Sequence, residues 1–244
     1  MRMSNSAAHL DKFVSKLNAL NMLTAEEVAA IQALPLRVQS VRARTSVVTE
    51  GQLVSECCVL VEGFACRHKL ANDGGRQIVS FHIPGDILDV QHLLFNRADH
   101  NVQTITDATL AFVPMDAMRQ LTDDRPEIAR ALWRDCLVEA SVFREWVLNV
   151  GRRSAKTRIA HMLCEFAARA EAAGIGSPAH FSLPMTQEDI ADATGLTAVH
   201  VNRMLRELRE ERVIEREGRQ IRIADWPRMK RIADFSPAYL HIAA

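Results

Sequence analysis

The 244-residue sequence contains no apolar run long enough to cross a membrane, and its first residues, MRMSNSAAHLDKF, lack the apolar core of a signal peptide. We therefore expect a cytoplasmic protein without membrane contacts. The sequence also has no P-loop and no nucleophile elbow, so it supplies no candidate catalytic residue. Its five cysteines are an odd number and include no CxxC pair, which argues against a zinc or iron–sulfur site, and we predict no bound metal.

The charge is balanced overall but unevenly distributed. A formal net charge of zero excludes a generally basic coat for nucleic acid. Residues 152–232, however, contain 15 Lys and Arg against 11 Asp and Glu. The positive excess is therefore confined to the C-terminal part of the chain, where phosphate contacts would be made if that part binds nucleic acid. Hydrophobic residues make up 48% of the chain, which is ample for two packed domains.

The most informative pattern is MTQEDIADATGLTAVHVNRMLREL at residues 185–208. Thr186 is a suitable N-cap for a first helix, and Asp189 completes a capping box with an acid in place of the usual Glu. Gly195 follows at a point where a short turn between two helices needs a residue that tolerates positive φ. This spacing predicts a helix-turn-helix.

The second helix of this motif has two different sides. Thr197 caps it, and Val201, Leu205 and Leu208 form a buried stripe at three- and four-residue intervals. Small and polar groups begin the opposite side, and arginine follows one turn later, as suits a helix that lies in a major groove. The residues predicted to contact duplex DNA are Thr186, Gln187, Thr197, Ala198, Val199, His200, Asn202, Arg203 and Arg206.

A small hairpin follows the second helix directly. The apolar pair Val213-Ile214, the turn Glu217-Gly218 and the alternating Ile221 and Ile223 predict two short strands. An amphipathic helix pair with a glycine turn often only packs against its neighbours. Because a β-wing is attached directly behind this pair, we interpret the segment as a DNA-binding winged helix-turn-helix.

The N-terminal half has a different character. Residues 8–34 show helical periodicity, and residues 36–115 alternate short β-rich runs with glycine turns, which predicts a sandwich or small barrel. Adjacent Cys57 and Cys58 are expected on a strand, with one side chain pointing inward and the other outward. Residues 126–150 then form a long helix that is apolar on more than one side. We predict that this helix dimerises through a stripe formed by Leu132, Cys136, Ala140, Phe143 and Val147.

The whole layout resembles the Crp–Fnr superfamily of bacterial transcription regulators. The resemblance covers roughly residues 10–232 and is carried by VVTEGQLVSECCVLVEGF, FHIPGDIL and the helix-turn-helix. It implies an α+β fold with an N-terminal double-stranded β-helix (a jelly-roll-like barrel), a long dimerisation helix and a C-terminal winged helix-turn-helix. The corresponding domains are residues 1–124, 125–151, 152–233 and a tail at 234–244. It also implies a homodimer on near-palindromic DNA, and contact with RNA polymerase in the case of an activator.

Two features depart from the family pattern. Arg203 aligns with the base-reading arginine of the family, but Val199 stands where many members have a glutamate that accepts a hydrogen bond from cytosine. Members that bind cyclic AMP carry Gly-Glu-Leu and then Arg-Ser or Arg-Ala, whereas here Asp99-His100 stands near the arginine position and Arg97 is two positions out of register. An aspartate there would repel a cyclic phosphate, so we expect no response to cyclic AMP. The candidate effector pocket contains Asp86, Leu88, Asp89, Val90, Gln91, Arg97, Asp99 and His100.

The effector is left open. Haem-binding relatives use axial ligands in this region, where His82 and His92 lie, and the thiolate of Cys66 beside Arg67 and His68 is a candidate for redox control. Control by an unidentified small molecule, or activity without a ligand, is favoured over both, and no cofactor is predicted. A cupin-like metal enzyme using His82, His92 and His100 is the alternative of a different class, but it lacks the HxH pair that such sites need.

Overall fold

The computed structural model describes residues 6–242. Residues 1–5 of the predicted N-terminal domain and residues 243–244 of the predicted tail lie outside it. The chain forms two compact units, the first with residues 6–69 and Phe81–Glu139, the second with Leu70–Ser80 and Ala140–Ile242. The predicted α+β fold is confirmed, with a barrel-like sheet domain, a long helix and C-terminal helix-turn-helix helices. The second unit also contains residues 70–80, which the sequence-based boundaries assign to the sensor.

The N-terminal elements occur where the sequence pattern changes from helical to β-rich. They are α1 (Ser6–Leu20), α2 (Ala25–Gln32), β1 (Arg37–Val41), β2 (Ser46–Val48), β3 (Glu56–Glu62), β4 (Ala65–Leu70), β5 (Arg76–His82), a 3₁₀ turn (Val90–Leu93), β6 (Asn101–Thr104), β7 (Ala108–Pro114), α3 (Met115–Asp124) and α4 (Pro126–Arg152). The pattern does not predict β1 because four of its five side chains are exposed, so no apolar alternation marks it.

Two antiparallel sheets form the barrel, one with strand order β1-β7-β3 and the other with order β2-β6-β4-β5. Strand β3 separates two apolar cores. Cys57 and Val59 pack with the helices, whereas Cys58 and Leu60 pack inside the barrel. The two cysteines therefore point to opposite sides of the strand, as predicted, but both are buried because both faces of this strand are covered.

The long helix α4 continues two residues past its predicted end. The helix includes Gly151 and ends at Arg152. A glycine near a helix end costs only about 1 kcal/mol, so it does not by itself terminate the helix. The next helix begins directly after Ser154, whose side chain accepts a hydrogen bond from the backbone N–H of Thr157 and caps that helix.

The predicted dimerisation stripe on α4 needs correction. Leu132 is 2% exposed and belongs to the core shared with the N-terminal helices, and Cys136 packs against the same core. Neither side chain is therefore available to a partner subunit. The exposed apolar side chains of α4 are Trp133, Leu137, Val147 and Leu148.

The second unit is built on a largely buried helix. Its elements are α5 (Ala155–Ala172), β8 (Phe181–Ser182), α6 (Gln187–Thr194), α7 (Ala198–Glu210), β9 (Ile214–Glu217), β10 (Gln220–Ile223), α8 (Trp226–Ala233) and a 3₁₀ turn (Pro237–Leu240). The three strands form one sheet with order β8-β10-β9. This arrangement confirms the predicted helix pair and wing, and the short strand β8 precedes them, as the sequence also predicts at residues 181–183.

The interior of the second unit contains paired polar groups. The carboxylate of Glu165 on α5 accepts hydrogen bonds from Nε1 of Trp146 at 3.1 Å and from the hydroxyl of Tyr239 at 2.7 Å. Burial raises the pKa of Glu165, and these two donors together with Arg169 oppose that rise. The C-terminal 3₁₀ turn, which no sequence pattern predicts, is thus fixed to α5 through Tyr239.

Candidate nucleic-acid interface

The first helix of the motif begins with the predicted capping box. The backbone N–H of Asp189 donates to Oγ1 of Thr186 at 3.1 Å, and the backbone N–H of Thr186 donates to the Asp189 carboxylate at 3.0 Å. Both residues predicted to contact DNA from this helix lie at its start: Thr186 is exposed and Gln187 is half-buried. Gly195 ends the helix with a φ of +65°, the left-handed conformation that the turn was predicted to need.

Helix α7 presents one polar side outward. Thr197 caps it by accepting a hydrogen bond from the backbone N–H of His200 at 3.3 Å. The predicted stripe of Val201, Leu205 and Leu208 is buried, which directs the other side toward solvent. We call that other side the recognition face; it consists of Ala198, Val199, His200, Asn202, Arg203 and Arg206.

The recognition face contains an exposed apolar group and a paired arginine. Val199 is 82% exposed near the start of the helix. Arg203 is also exposed, and its Nη2 lies 2.7 Å from Nε2 of His200. The structure thus places all six residues of the face, each predicted from sequence, on the outward side of one helix.

The wing carries arginines in different states. Arg222 forms a two-pronged ion pair with Glu215 across the hairpin, and Nε of Arg216 donates to the carbonyl of Gly218. Arg219 lies exposed beside the turn. Arg219 is therefore better placed than Arg222 to contact a phosphate.

A feature that sequence reasoning missed lies beneath α6. Nε of Arg76 donates to Asp192 at 2.7 Å, and its Nη2 donates to the fully buried Asp189 at 2.8 Å. The side-chain amide of Gln77 donates to the carbonyl of Ala193 at 3.3 Å. Residues 70–80 therefore support the first helix of the motif from within the second unit, and no local sequence pattern indicates a contact over this separation.

The predicted effector pocket does not form a single site. Leu88 lies in the barrel core and Val90 in the core beneath the helices. Arg97 is exposed and donates to the carbonyl of Gly51, and the Asp99 side chain is 86% exposed. Asp89 accepts a hydrogen bond from the backbone N–H of Cys58, and Gln91 contacts the ring of His100.

The first unit contains buried charged groups that the sequence did not predict. Lys16 bridges Asp86 and Asp135 with distances of 2.8 Å to each. Burial lowers the pKa of Lys16, but the two carboxylates outweigh it and the net shift is upward. Arg67 is buried and bonds to Glu139 and to the carbonyl of Leu88. These pairs join residues far apart in the chain, so spacing could not have indicated them.

Three histidines of the first unit have lowered pKa values. Burial lowers the pKa of His100 to about 4, helped by Arg67 and opposed by Asp99. Burial also lowers the pKa of His82 and of His92, whose ring stacks on that of His100 with centroids 6.1 Å apart. Burial raises the pKa of Asp89 to about 7. The charged imidazolium form of His82, His92 and His100 is therefore disfavoured at neutral pH.

The alternative sensors find little geometric support. Cys66 is fully buried, so a dissolved oxidant cannot reach its sulfur. Among residues 6–242, no group of three or more His, Cys, Asp or Glu side chains is arranged to hold a metal ion.

Within the same residues, every helix is too short or too polar to cross a membrane.

Comparison with known proteins agrees with this geometry. The model of the Crp-like helix-turn-helix domain matches residues 157–232, and that of the cyclic nucleotide-binding domain matches residues 38–125. The nitrogen fixation regulation protein FixK of Rhizobium meliloti is 30% identical over 194 residues, covering 78% of this chain and 83% of the relative. The transcriptional activator FnrL of Cereibacter sphaeroides is 28% identical over 208 residues, covering 84% and 83%.

A solved structure shows the same fold. FixK2 from Bradyrhizobium japonicum matches with a TM-score of 0.76 and 26% identity, covering 83% of this chain and all of that one. The fold of this chain thus also occurs in a solved structural neighbour. The chain belongs to the Crp–Fnr superfamily and is a transcription regulator with a helix-turn-helix DNA-binding domain.

Proposed function

We propose that the protein binds a near-palindromic duplex as a homodimer and reads each half-site through the recognition face of α7. The observation that carries this proposal is the exposure of Val199 and Arg203 on a helix whose other side is buried. Two such helices related by two-fold symmetry would enter successive major grooves about one helical turn apart. Selection of binding sites from a random duplex library by the full chain tests this directly.

The residues of the face have different roles. The planar fork of Arg203 fits O6 and N7 of guanine. Val199 cannot accept a hydrogen bond from cytosine, but its methyl groups can contact the methyl group of thymine. We therefore expect a thymine-containing pair at the position that glutamate-bearing relatives read as cytosine. Ala198 and Asn202 lie near base edges, and the backbone phosphates are contacted by Thr186, Gln187, Thr197 and Arg206.

The homodimer is proposed to form through α4. The heptad positions on one side of this helix alternate at intervals of four and three residues; they are Trp133, Leu137, Ala140, Arg144 and Val147. We call these residues the α4 stripe. Leu137 is 65% exposed, and Trp133 and Val147 are exposed too. Large apolar side chains in heptad spacing on a solvent-facing side are what a parallel two-stranded coiled coil would cover.

Replacement of Leu137 by Glu is expected to convert the dimer to a monomer at micromolar concentration. Two carboxylates would face each other in the apolar seam, and their desolvation opposes association. Sedimentation equilibrium measures the change, and Leu137→Met, which preserves an apolar side chain, should remain dimeric. A Leu137→Glu protein that stays dimeric at the same concentration would contradict the proposed interface.

Cyclic AMP is not the proposed effector. The side chain of Arg97 is tied to Gly51 at the surface, and Arg67 already bonds to Glu139 and Leu88. Neither guanidinium is therefore presented to a cyclic phosphate. An unidentified small molecule, or activity without any ligand, fits these contacts better.

Cyclic AMP at 1 mM is accordingly expected to leave the melting temperature unchanged. A ligand at 100 times its Kd would add about 2.7 kcal/mol to the free energy of unfolding, which shifts the midpoint by several degrees. Differential scanning fluorimetry measures this, with a cyclic-AMP-binding regulator as the positive control. A rise of several degrees would show that the barrel binds the nucleotide after all.

The effect on transcription is proposed to be activation in the cytoplasm through contact with RNA polymerase. Support comes from relatives that are named transcriptional activators, such as FnrL, which cover most of this chain. Transcription from a promoter containing the selected site, with and without the protein, distinguishes activation from repression.

A further inference from the structure

The contact between His200 and Arg203 separates His200 from the other residues of the recognition face. Nε2 of His200 lies 2.7 Å from Nη2 of Arg203. A guanidinium has only donors, so the imidazole must be the acceptor and Nε2 must carry no proton. The contact is therefore a hydrogen bond in which Arg203 donates and the imidazole of His200 accepts.

The backbone of α7 places both partners. Residues three apart on a helix are neighbours on its surface. The N–H of His200 donates to Oγ1 of Thr197, so His200 belongs to the capped first turn of the helix. Arg203 lies one turn further along on the exposed side. Because the cap fixes the backbone of the first turn, the point from which the imidazole projects toward the guanidinium is held in place.

The residue at position 199 makes this pair consequential. A carboxylate there would stand four residues before Arg203, the favourable spacing for an ion pair along a helix. Val199 has no acceptor, so it cannot restrain the arginine. In this chain the side-chain hydrogen bond of Arg203 is the one to His200.

We propose that His200 is a positioning residue that orients Arg203 for guanine before DNA arrives. The proposal rests on the proposed base-reading role of Arg203. An unrestrained arginine loses much side-chain freedom when its fork is fixed on a base, and prior restraint reduces that loss. One N–H of the guanidinium is used by His200, and enough of the other four remain for two hydrogen bonds to guanine.

The test compares single and double variants of the full-length protein on its selected site. For each, Kd is measured on the site and on a site in which the base pair assigned to Arg203 is replaced. We expect His200→Ala to reduce discrimination at that pair roughly three- to tenfold and to leave the other pairs unaffected. His200→Gln, whose amide oxygen can accept, should retain discrimination, and His200→Leu should behave like His200→Ala. In an Arg203→Ala background, His200→Ala should change nothing further.

The outcomes separate this inference from the proposed function. An equal effect of His200→Ala with and without Arg203, or an effect spread over all base pairs, would show that His200 contacts DNA itself and would overturn the inference alone. Unchanged site selection by Arg203→Ala would overturn the base-reading role and the inference with it. Melting temperatures equal to that of the wild type verify that each variant is folded.

Discussion

Replacement of Arg203 by Ala is expected to abolish sequence selection while leaving the fold and the dimer intact. A bidentate contact with guanine contributes about 1–3 kcal/mol of discrimination, and a symmetric dimer makes it twice. The combined loss is therefore about 2–6 kcal/mol, or roughly 30- to 10⁴-fold in Kd for the selected site. The side chain is exposed and its hydrogen-bond partner lies on the same helix, so alanine should not disturb packing.

A matched control is available on the same helix. Arg209 is exposed in the last turn of α7, outside the recognition face, and Arg209→Ala removes the same charge. We expect this control to keep the selected sequence and to lose at most the modest affinity of one phosphate contact. If Arg203→Ala selects the same sequence as the wild type from a random library, Arg203 is not the base reader.

Replacement of His161 by Phe is expected to make the protein markedly more resistant to acid. His161 is 1% exposed, and neither of its ring nitrogens has a hydrogen-bond partner among the described residues. Its ring packs edge-on against Phe235 and parallel to Tyr239, with Glu145 3.6 Å away. Burial lowers its pKa from 6.5 to about 3; nearby Arg153 adds to this effect and Asp234 opposes it.

The sign follows from where protons bind. Below about pH 6.5 the unfolded chain binds a proton at His161, whereas the folded protein does not until about pH 3. The free energy of unfolding therefore falls as the pH is lowered through this interval. At pH 4, which lies 2.5 units below the unfolded pKa of 6.5, this loss of unfolding free energy is about 3 kcal/mol. The His161→Phe variant would not lose it, because a phenyl ring has no site that binds a proton.

The measurement is a pair of urea unfolding curves at pH 7 and pH 4. The difference between variant and wild type isolates His161, because Glu165, whose raised pKa acts in the opposite direction, is present in both. His180→Phe removes an exposed histidine and should give a curve parallel to the wild type. Equal pH dependence of His161→Phe and wild type would mean that this imidazole is protonated in the folded protein.

The helix-turn-helix could be predicted because its determinants are local. Thr186, Asp189 and Gly195 act within one turn of their own positions, and the buried stripe of α7 recurs at helical spacing. The face of α4 could not be predicted in this way. A helix that is apolar on more than one side does not indicate which side the rest of the chain covers, and Leu132 and Leu137 differ only in tertiary surroundings.

Other features depend on residues that are distant in sequence. Both Cys57 and Cys58 are buried because helices cover the sheet face that was expected to be open. The ion pair between Arg76 and Asp189 joins positions 113 residues apart, and the bond from Tyr239 to Glu165 joins positions 74 apart. Single arginines and tyrosines carry no pattern of their own, so such pairs emerge only when the chain is folded.

The support of α6 by residues 70–80 also constrains how the gene for this protein can recombine with a related gene. The second unit is assembled from two separated stretches of chain, with Arg76 in one and Asp189 and Asp192 in the other. A single crossover between codons 80 and 140 of two related genes would unite partners from different parents. A hybrid with a mismatched partner would forfeit a contact to a buried carboxylate, which is strongly destabilising. These three positions should therefore be inherited together, and new DNA specificities should arise by point mutation of α7 more readily than by exchange of C-terminal halves.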